Sequence, residues 1–365
     1  MYVPRRSTLS GPLLTSLALA TACAPALSVS TASAVSTPAA VRDPAERATT
    51  TRTPSAALDR ITKRSPALDG TMRRVGTGRG VTVYVFDGGV SQEHRELAGR
   101  VRKGFDASDR EEGTCGSHGT AVAGAAAGSS LGVAPEANVV DVKIFSCSPL
   151  RGTVRSIVEA TDWVIEDHRQ HPGPAVVNWS FVVDTVRTIP DIDDAVRRLT
   201  EAGMLVIVSA GNADIDACQV SPATSPGALV VGALTLARDS ANGRWIDRHF
   251  AGSAFGPCID LYAPGDSVLL PLADQAALGV FSGTSFATAY VSGAAAVLLE
   301  HAPTLSPDSL RSQLCQRTSA TRVLGVPHQP SFLMTRVLYI GPMSGDAAGP
   351  PSSCGSSPLT TARAR

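Results

Sequence analysis

The chain has 365 residues, with 32 Lys and Arg against 32 Asp and Glu, so its formal net charge is zero at neutral pH. A balanced charge of this kind excludes polyanion binding as an organising function, and nucleic acid is not expected as a partner. Hydrophobic residues make up 43% and aromatics 5%, enough for an ordinary core in one or two domains.

The first segment reads as an export signal. Arg5 and Arg6 precede an apolar stretch from Gly11 to Leu27, and Ala32-Ser33-Ala34 is a small-x-small cleavage site. Pro12 and Pro25 interrupt the apolar run, which argues against a membrane span. Ala20-Thr21-Ala22-Cys23 has alanine where a lipoprotein box has leucine, so residues 1–34 are expected to direct simple secretion. Residues 35–57, rich in Ala, Thr, Pro and Arg without an apolar period, are expected to be a disordered linker too short for a folded pro-domain.

From Gly80 onward, short β-branched runs alternate with helical patterns. Val81–Phe86, Val139–Ile144, Ala175–Trp179, Leu205–Val208 and Leu229–Val231 suit buried parallel strands. His118–Gly128, Val154–Asp167 and Ile192–Ala202 suit helices, and another opens near Ser285. The alternation predicts an α/β fold: a three-layer, doubly wound, mostly parallel sheet. Asp87 then ends the first central strand, at the carboxyl edge where such sheets place their sites. From Pro342 the composition turns to Gly, Ser, Pro and Ala, so residues 342–365 are expected to form a flexible tail.

Three strings carry the chemistry: Val-Tyr-Val-Phe-Asp-Gly-Gly at 83–89, Gly-Ser-His-Gly-Thr at 116–120 and Gly-Thr-Ser-Phe-Ala at 283–287. A serine hydroxyl is a poor nucleophile at neutral pH. An imidazole can take its proton, and a carboxylate can hold that imidazole in the right tautomer. Taken singly, Asp87 reads equally as a turn aspartate, His118 as a core or capping histidine and Ser285 as a helix cap. Asn212, after the strand in Ser209-Ala210-Gly211-Asn212, reads singly as a turn residue. The other six histidines (His94, His168, His171, His249, His301, His328) lack comparable surroundings and are expected at the surface. The last string is not the Gly-x-Ser-x-Gly elbow of α/β-hydrolases, because Ala287 fills its final place.

The three strings resemble the subtilisin-like serine proteases (subtilases), most closely the proteinase K/aqualysin-like branch. There they usually read Asp-Thr-Gly, His-Gly-Thr-His-Val-Ala-Gly and Gly-Thr-Ser-Met-Ala-Thr-Pro-His-Val. The resemblance runs from about Leu58 to about Ile340, giving an expected subtilisin-like peptidase domain over 58–341. It implies Ser285 as nucleophile, His118 as general base and acid, Asp87 as its orienting carboxylate, and Asn212 with the Ser285 amide as oxyanion donors. It also implies that Ser180, Phe181 and Val182 on one side, and Ser209, Ala210 and Gly211 on the other, line the substrate. Val182 and Val183 stand where the family has glycines, so a narrowed P1 pocket and an altered preference are expected. A structural calcium is implied on Asp260 and the carbonyls of Pro226 and Ala228.

Six cysteines remain once Cys23 leaves with the signal, and sequence alone permits about 15 pairings. The resemblance implies Cys115–Cys147 and Cys218–Cys258, leaving Cys315 and Cys354 for a third. A zinc reading of Cys115 beside His118 lacks a closely spaced second ligand pair. The expected function is a secreted, monomeric serine endopeptidase acting on proteins or peptides. The alternative is a catalytically weak or inactive subtilase-fold binding protein, prompted by the altered substrate strand.

Overall fold

The computed structural model describes residues 48–108, 113–147, 150–183, 188–329, 334–342 and 354. At the start of the described chain, β1 (Thr49–Arg52) and β2 (Thr71–Arg74) pair antiparallel around α1 (Ala56–Ile61). Next come β3 (Thr82–Asp87), β4 (Val101–Asp106), α2 (His118–Ala127), β5 (Asn138–Lys143) and the small hairpin β6 (Phe145–Cys147) and β7 (Leu150–Gly152). The middle of the chain holds α3 (Val154–Gln170), β8 (Ala175–Trp179), α4 (Pro190–Glu201), β9 (Leu205–Ser209), β10 (Leu229–Arg238) and β11 (Trp245–His249). It closes with β12 (Leu261–Pro264), the hairpin β13 (Val268–Pro271) and β14 (Leu278–Phe281), α5 (Thr284–His301), α6 (Pro307–Gln316), β15 (Thr318–Leu324) and β16 (Met334–Leu338).

One sheet takes the strands in the order β11-β15-β16-β12-β10-β9-β8-β3-β5-β4. Every neighbouring pair from β12 across to β4 is parallel. β3 is flanked by β5 on one side and β8 on the other, so the chain leaves it in opposite directions. That makes the carboxyl end of β3 the switch point, where an open α/β sheet leaves a crevice.

Both faces of the sheet are covered. In β3, Val83 and Val85 face one core, while Tyr84 and Phe86 face the other. A strand buried on both faces needs an unbroken apolar run, which is why β3, β8 and β9 lack polar alternation. On one side lie α3 and α4. Thr153 caps α3 in a reciprocal capping box with Ser156, and Ile157, Ala160 and Val164 recur on its inner face. Pro190 opens α4, which presents Ile192, Ala195, Val196 and Leu199. On the other side α2 and α5 are buried nearly all round and are rich in Ala and Gly. Small residues let them approach one another closely: a Cβ at Gly293 would crowd the Ala126 carbonyl and lie 2.8 Å from Val133 Cβ.

The structure departs from the sequence expectations in three places. Residues 49–52 are strand and Ser55 caps α1, so the end of the expected linker is ordered by pairing with β2. β10 continues past Val231 to Arg238 because its distal half pairs with β11, a partner that local pattern does not reveal. His94 and His249 are buried rather than exposed. His94 Nε2 meets the Ala277 carbonyl at 3.1 Å and its Nδ1 the Glu96 amide, while His249 Nε2 meets the Ser253 carbonyl at 3.0 Å and its Nδ1 has no partner among the described residues. The expected signal segment and most of the expected tail lie outside the described residues. No described helix is long and apolar enough to cross a membrane.

Asp141 breaks the apolar run of β5. It is 7% exposed, and its Oδ1 has no hydrogen-bond partner among the described residues. Burial pushes its carboxyl from 3.8 up to about 7, helped by the charges of Asp87 and Asp106 and opposed by the Val90 amide and Lys143. The folded protein thus holds a proton that the unfolded chain releases near pH 3.8, so stability falls as pH rises from there through about 7. In denaturant titrations of inactive Ser285→Ala protein, Asp141→Asn should stabilise by up to about 4 kcal/mol more at pH 8 than at pH 4. An equal effect at both pH values would rule out this account of the buried carboxyl.

Candidate active site

Asp87 is the last residue of β3 and is 3% exposed. Its Oδ1 accepts the Gly88 amide at 2.7 Å. His118 opens α2, and its Nδ1 lies 3.0 Å from Asp87 Oδ1 and 2.8 Å from Oδ2. This pairing requires α2 to start almost on top of the strand end. A Cβ at Gly119 would run into the Gly89 carbonyl and lie 3.1 Å from both Asp87 Cβ and Oδ1, so glycine there is what permits the approach. The loop before α2 is fixed as well. The Cys115 amide donates to the Gly88 carbonyl at 2.6 Å, and Cys115 is bonded to Cys147. A Cβ at position 88 would sit 3.1 Å from Cys115 Cβ, so the smaller residue at this family position fits beside the disulfide.

Burial pushes the His118 imidazole pKa down, but the charge and hydrogen bond of Asp87 outweigh that, and the net shift is upward from 6.5. The ring is open on its other side, with the side chain 44% exposed, so Nε2 faces the crevice rather than the core. The Phe286 ring lies 5.5 Å away, centroid to centroid, and limits the ring's travel.

Ser285 sits in the first turn of α5, where backbone N–H groups have no intrahelical acceptor. It is 5% exposed. Ser180, just past β8, and Ser285 exchange hydrogen bonds: Ser180 Oγ donates to the Ser285 carbonyl at 2.8 Å, and Ser285 Oγ donates to the Ser180 carbonyl at 3.0 Å. The chain of bonds continues inward, from Asn178 Nδ2 to Ser180 Oγ at 2.9 Å and from Ser292 Oγ to Asn178 Oδ1 at 2.8 Å. Helix α5 is thereby pinned to the end of the sheet. In this arrangement the Ser285 hydroxyl points at the Ser180 carbonyl and not at His118.

Asn212 follows β9 on an exposed turn. Its Oδ1 accepts from both the Thr284 amide and Thr284 Oγ1, each at 2.9 Å. An N–H can only donate, so these two bonds fix the side-chain oxygen toward α5 and leave Nδ2 as the donor toward the crevice. Thr284, the orienting partner, escaped the sequence reading although it lies inside the Gly-Thr-Ser string. Asn178 and Ser292 left no comparable local signal.

The two expected substrate-lining segments face one another. Ser209 Oγ donates to the Phe181 carbonyl at 3.1 Å, and the Val183 amide donates to the Ser221 carbonyl at 3.1 Å. Ala210 is fully buried. Val182 reaches across the gap: its Cγ1 lies 3.4 Å from where a Cβ on Gly211 would be. Trp179 is fully buried, with its ring 5.4 Å from Phe86 and 5.6 Å from Phe181, and belongs to the core.

Cys218–Cys258 and Cys315–Cys354 complete three disulfides, spanning 40 and 39 residues. The oxygens expected to hold calcium do not fit a cation. Asp260 is 5% exposed; Arg311 Nη2 donates to its Oδ1 at 2.8 Å and its Oδ2 at 3.0 Å, and the Val230 amide donates to Oδ2 at 2.9 Å. Burial raises this carboxyl's pKa against the pull of Arg311. Ala228 is buried and Pro226 exposed in the adjoining loop, and no cluster of three or more metal-binding side chains occurs among the described residues.

Comparison with known proteins gives the same pattern. The Subtilase family matches residues 78–333. An extracellular serine proteinase of Thermus sp. (strain Rt41A) is 37% identical over 272 residues, covering 73% of this chain and 62% of that protein. Alkaline serine exoprotease A of Vibrio alginolyticus is 34% identical over 268 residues, covering 73% of this chain and 47% of the relative. The chain therefore spans about half to three fifths of the length of these relatives. Among solved structures, a cold adapted subtilisin-like serine proteinase superposes with a TM-score of 0.69 at 34% identity, over 78% of this chain and 97% of that one. With a family match over most of its length, and with the aspartate, histidine and serine strings meeting at one sheet edge, the chain belongs to the subtilase family.

Proposed function

We propose that this chain is a secreted serine endopeptidase that cleaves protein or peptide substrates through an acyl-enzyme on Ser285. The observation that carries the reading is the Nδ1 contact of His118 with both Asp87 oxygens, at the edge that also presents Ser285 and the Asn212 amide. In the forward step, Ser285 Oγ attacks the scissile carbonyl while His118 Nε2 takes its proton. His118 then gives that proton to the leaving amine, and water repeats the sequence to release the acid. Asp87 holds Nδ1 protonated throughout. The oxyanion is met by Asn212 Nδ2 and the Ser285 amide. All these groups come from one chain, which fits action as a monomer. Secretion is supported by the export-like residues 1–34, by three disulfides, and by a relative named as extracellular.

Three outcomes test the reading. A fluorophosphonate probe should label Ser285, and the label should vanish in His118→Ala. A well-folded protein that takes no label would sink the proposal. The pH profile of kcat/KM should lose its activity as pH falls through a value above 6.5, because His118 must be neutral to act as a base and Asp87 favours its proton. Asp87→Asn should move that limb to lower pH and cut kcat by roughly four orders of magnitude.

The third outcome concerns selectivity. Val182 narrows the gap opposite Gly211, so small P1 residues such as Ala should be cleaved faster than Phe in a peptide series that varies only P1. Val182→Gly should raise kcat/KM for Phe by about 10–100-fold. A native preference for Phe would contradict this role of Val182.

A further inference from the structure

Subtilases commonly bind structural calcium, and a hard cation of this kind needs six to eight oxygens with anionic carboxylates among them. At the position where the resemblance puts one such ion, the carboxylate is already taken. Arg311, from α6, has Nη2 bonded to both oxygens of Asp260, and the Val230 amide occupies a third acceptor position. A second guanidinium faces the same residue from β16: Arg336 Nη1 donates to the Asp260 carbonyl at 3.0 Å. A divalent ion drawn to Asp260 would have to displace one guanidinium and stand beside another.

We propose that Arg311 has taken the ion's place on Asp260, and that this subtilase uses an internal cation to neutralise the carboxylate against which the loop of residues 226–230 ends at Val230, and needs no calcium to fold. The guanidinium holds Asp260 from α6, and Val230 holds the loop to Asp260. Val230 and Asp260 exchange backbone and side-chain bonds, and Arg311 ties that junction to α6. The Cys218–Cys258 disulfide crosses the same region two residues away from Asp260, so the loops are joined covalently as well. A second carboxylate group shows the same solution independently. The Lys63 ammonium sits against Asp59 Oδ1, lies 2.5 Å from Asp69 Oδ1 and 3.3 Å from the Thr71 carbonyl, while Asp59 Oδ2 accepts the Asp69 and Gly70 amides. There too, carboxylates drawn together by a turn are neutralised by a side chain of the chain itself.

The test uses the full chain carrying Ser285→Ala, so that self-digestion does not contribute, and reads melting temperature in EDTA and in millimolar calcium. The two values should agree within about 1 °C, since a ligand stabilises only by binding the folded state. Isothermal titration of calcium chloride into the same protein should show no saturable heat. Adding Arg311→Ser should lower the melting temperature in EDTA by about 5–10 °C, because Asp260 is left buried and unpaired. Calcium should then restore part of that loss, and Asp260→Asn should abolish the restoration. A calcium-dependent rise, or saturable calcium binding, in the protein that keeps Arg311 overturns the proposal. So does an Arg311→Ser protein that melts lower in EDTA yet gains nothing from calcium. If Arg311→Ser does not fold, the melting and titration of the Arg311 protein decide the question alone.

Discussion

Helix α2 reaches the carboxyl end of β3 because position 119 has no side chain. That single close approach brings an imidazole from the helix onto a carboxylate at the strand's end. The same economy of volume governs α5, whose alanines and Gly293 let it lie against α2 on the sheet. Larger residues in either helix would lift it by a fraction of an ångström, and interiors packed as densely as organic crystals transmit such a shift. The spacing of Asp87, His118 and Ser285 is therefore set by core packing, and the hydrogen bonds at the site act within a frame that packing has fixed.

Around that frame, polar bonds choose orientation. Thr284 decides which end of the Asn212 amide faces the crevice. Ser180 and Ser285 hold the substrate-side segment and the helix start in one register. Buried polar groups are costly unless paired, so the Asn178–Ser180–Ser285–Ser292 network is nearly all or nothing: each member satisfies its neighbour. Asp141 is one of several buried side chains left with an unpaired polar atom among the described residues, and as a carboxyl it answers by holding a proton near neutrality.

Much of this was legible in the sequence, for physical reasons. Strands buried on both faces are mostly apolar, so β3, β5, β8 and β9 stood out within a residue or two at either end even though Asp141 and Asn178 interrupt β5 and β8. The three strings marked Asp87, His118 and Ser285 because close approach demands small neighbours, and those neighbours are visible as Gly and Ala. What stayed hidden was decided by partners outside the segment being read. The distal half of β10 is ordered by β11, and β1 by β2. His94 is buried against a backbone carbonyl 183 residues away, and His249 against one only four residues on that its own strand pattern does not announce. The role of Asp260, just before β12, turned on Arg311, 51 residues away on α6, and no local pattern announces such a pairing. Resemblance supplied the carboxylate; only the fold supplied its partner.

The resting position of the Ser285 hydroxyl bears on how fast such a site can work. In this structure the hydroxyl donates to the Ser180 carbonyl at an O···O distance of 3.0 Å, and a turn to His118 as proposed would give up that bond. The bond from Ser180 Oγ to the Ser285 carbonyl does not involve the Ser285 hydroxyl, so the helix start stays tied to the sheet end when that hydroxyl turns. A single neutral hydrogen bond of this kind is worth about 0.5–1.5 kcal/mol net. Parking the hydroxyl on Ser180 thus costs at most about tenfold in the reactive population, far less than losing the histidine or its aspartate would. A second donor to the Ser180 carbonyl competes with the hydroxyl for that oxygen and weakens its hold. If residues 180–183 take the substrate as proposed, an extended peptide brings such a donor and loosens Ser285 toward the imidazole. On the same proposal, Val182, which narrows the gap opposite Gly211, ties the selectivity of this chain to the readiness of Ser285.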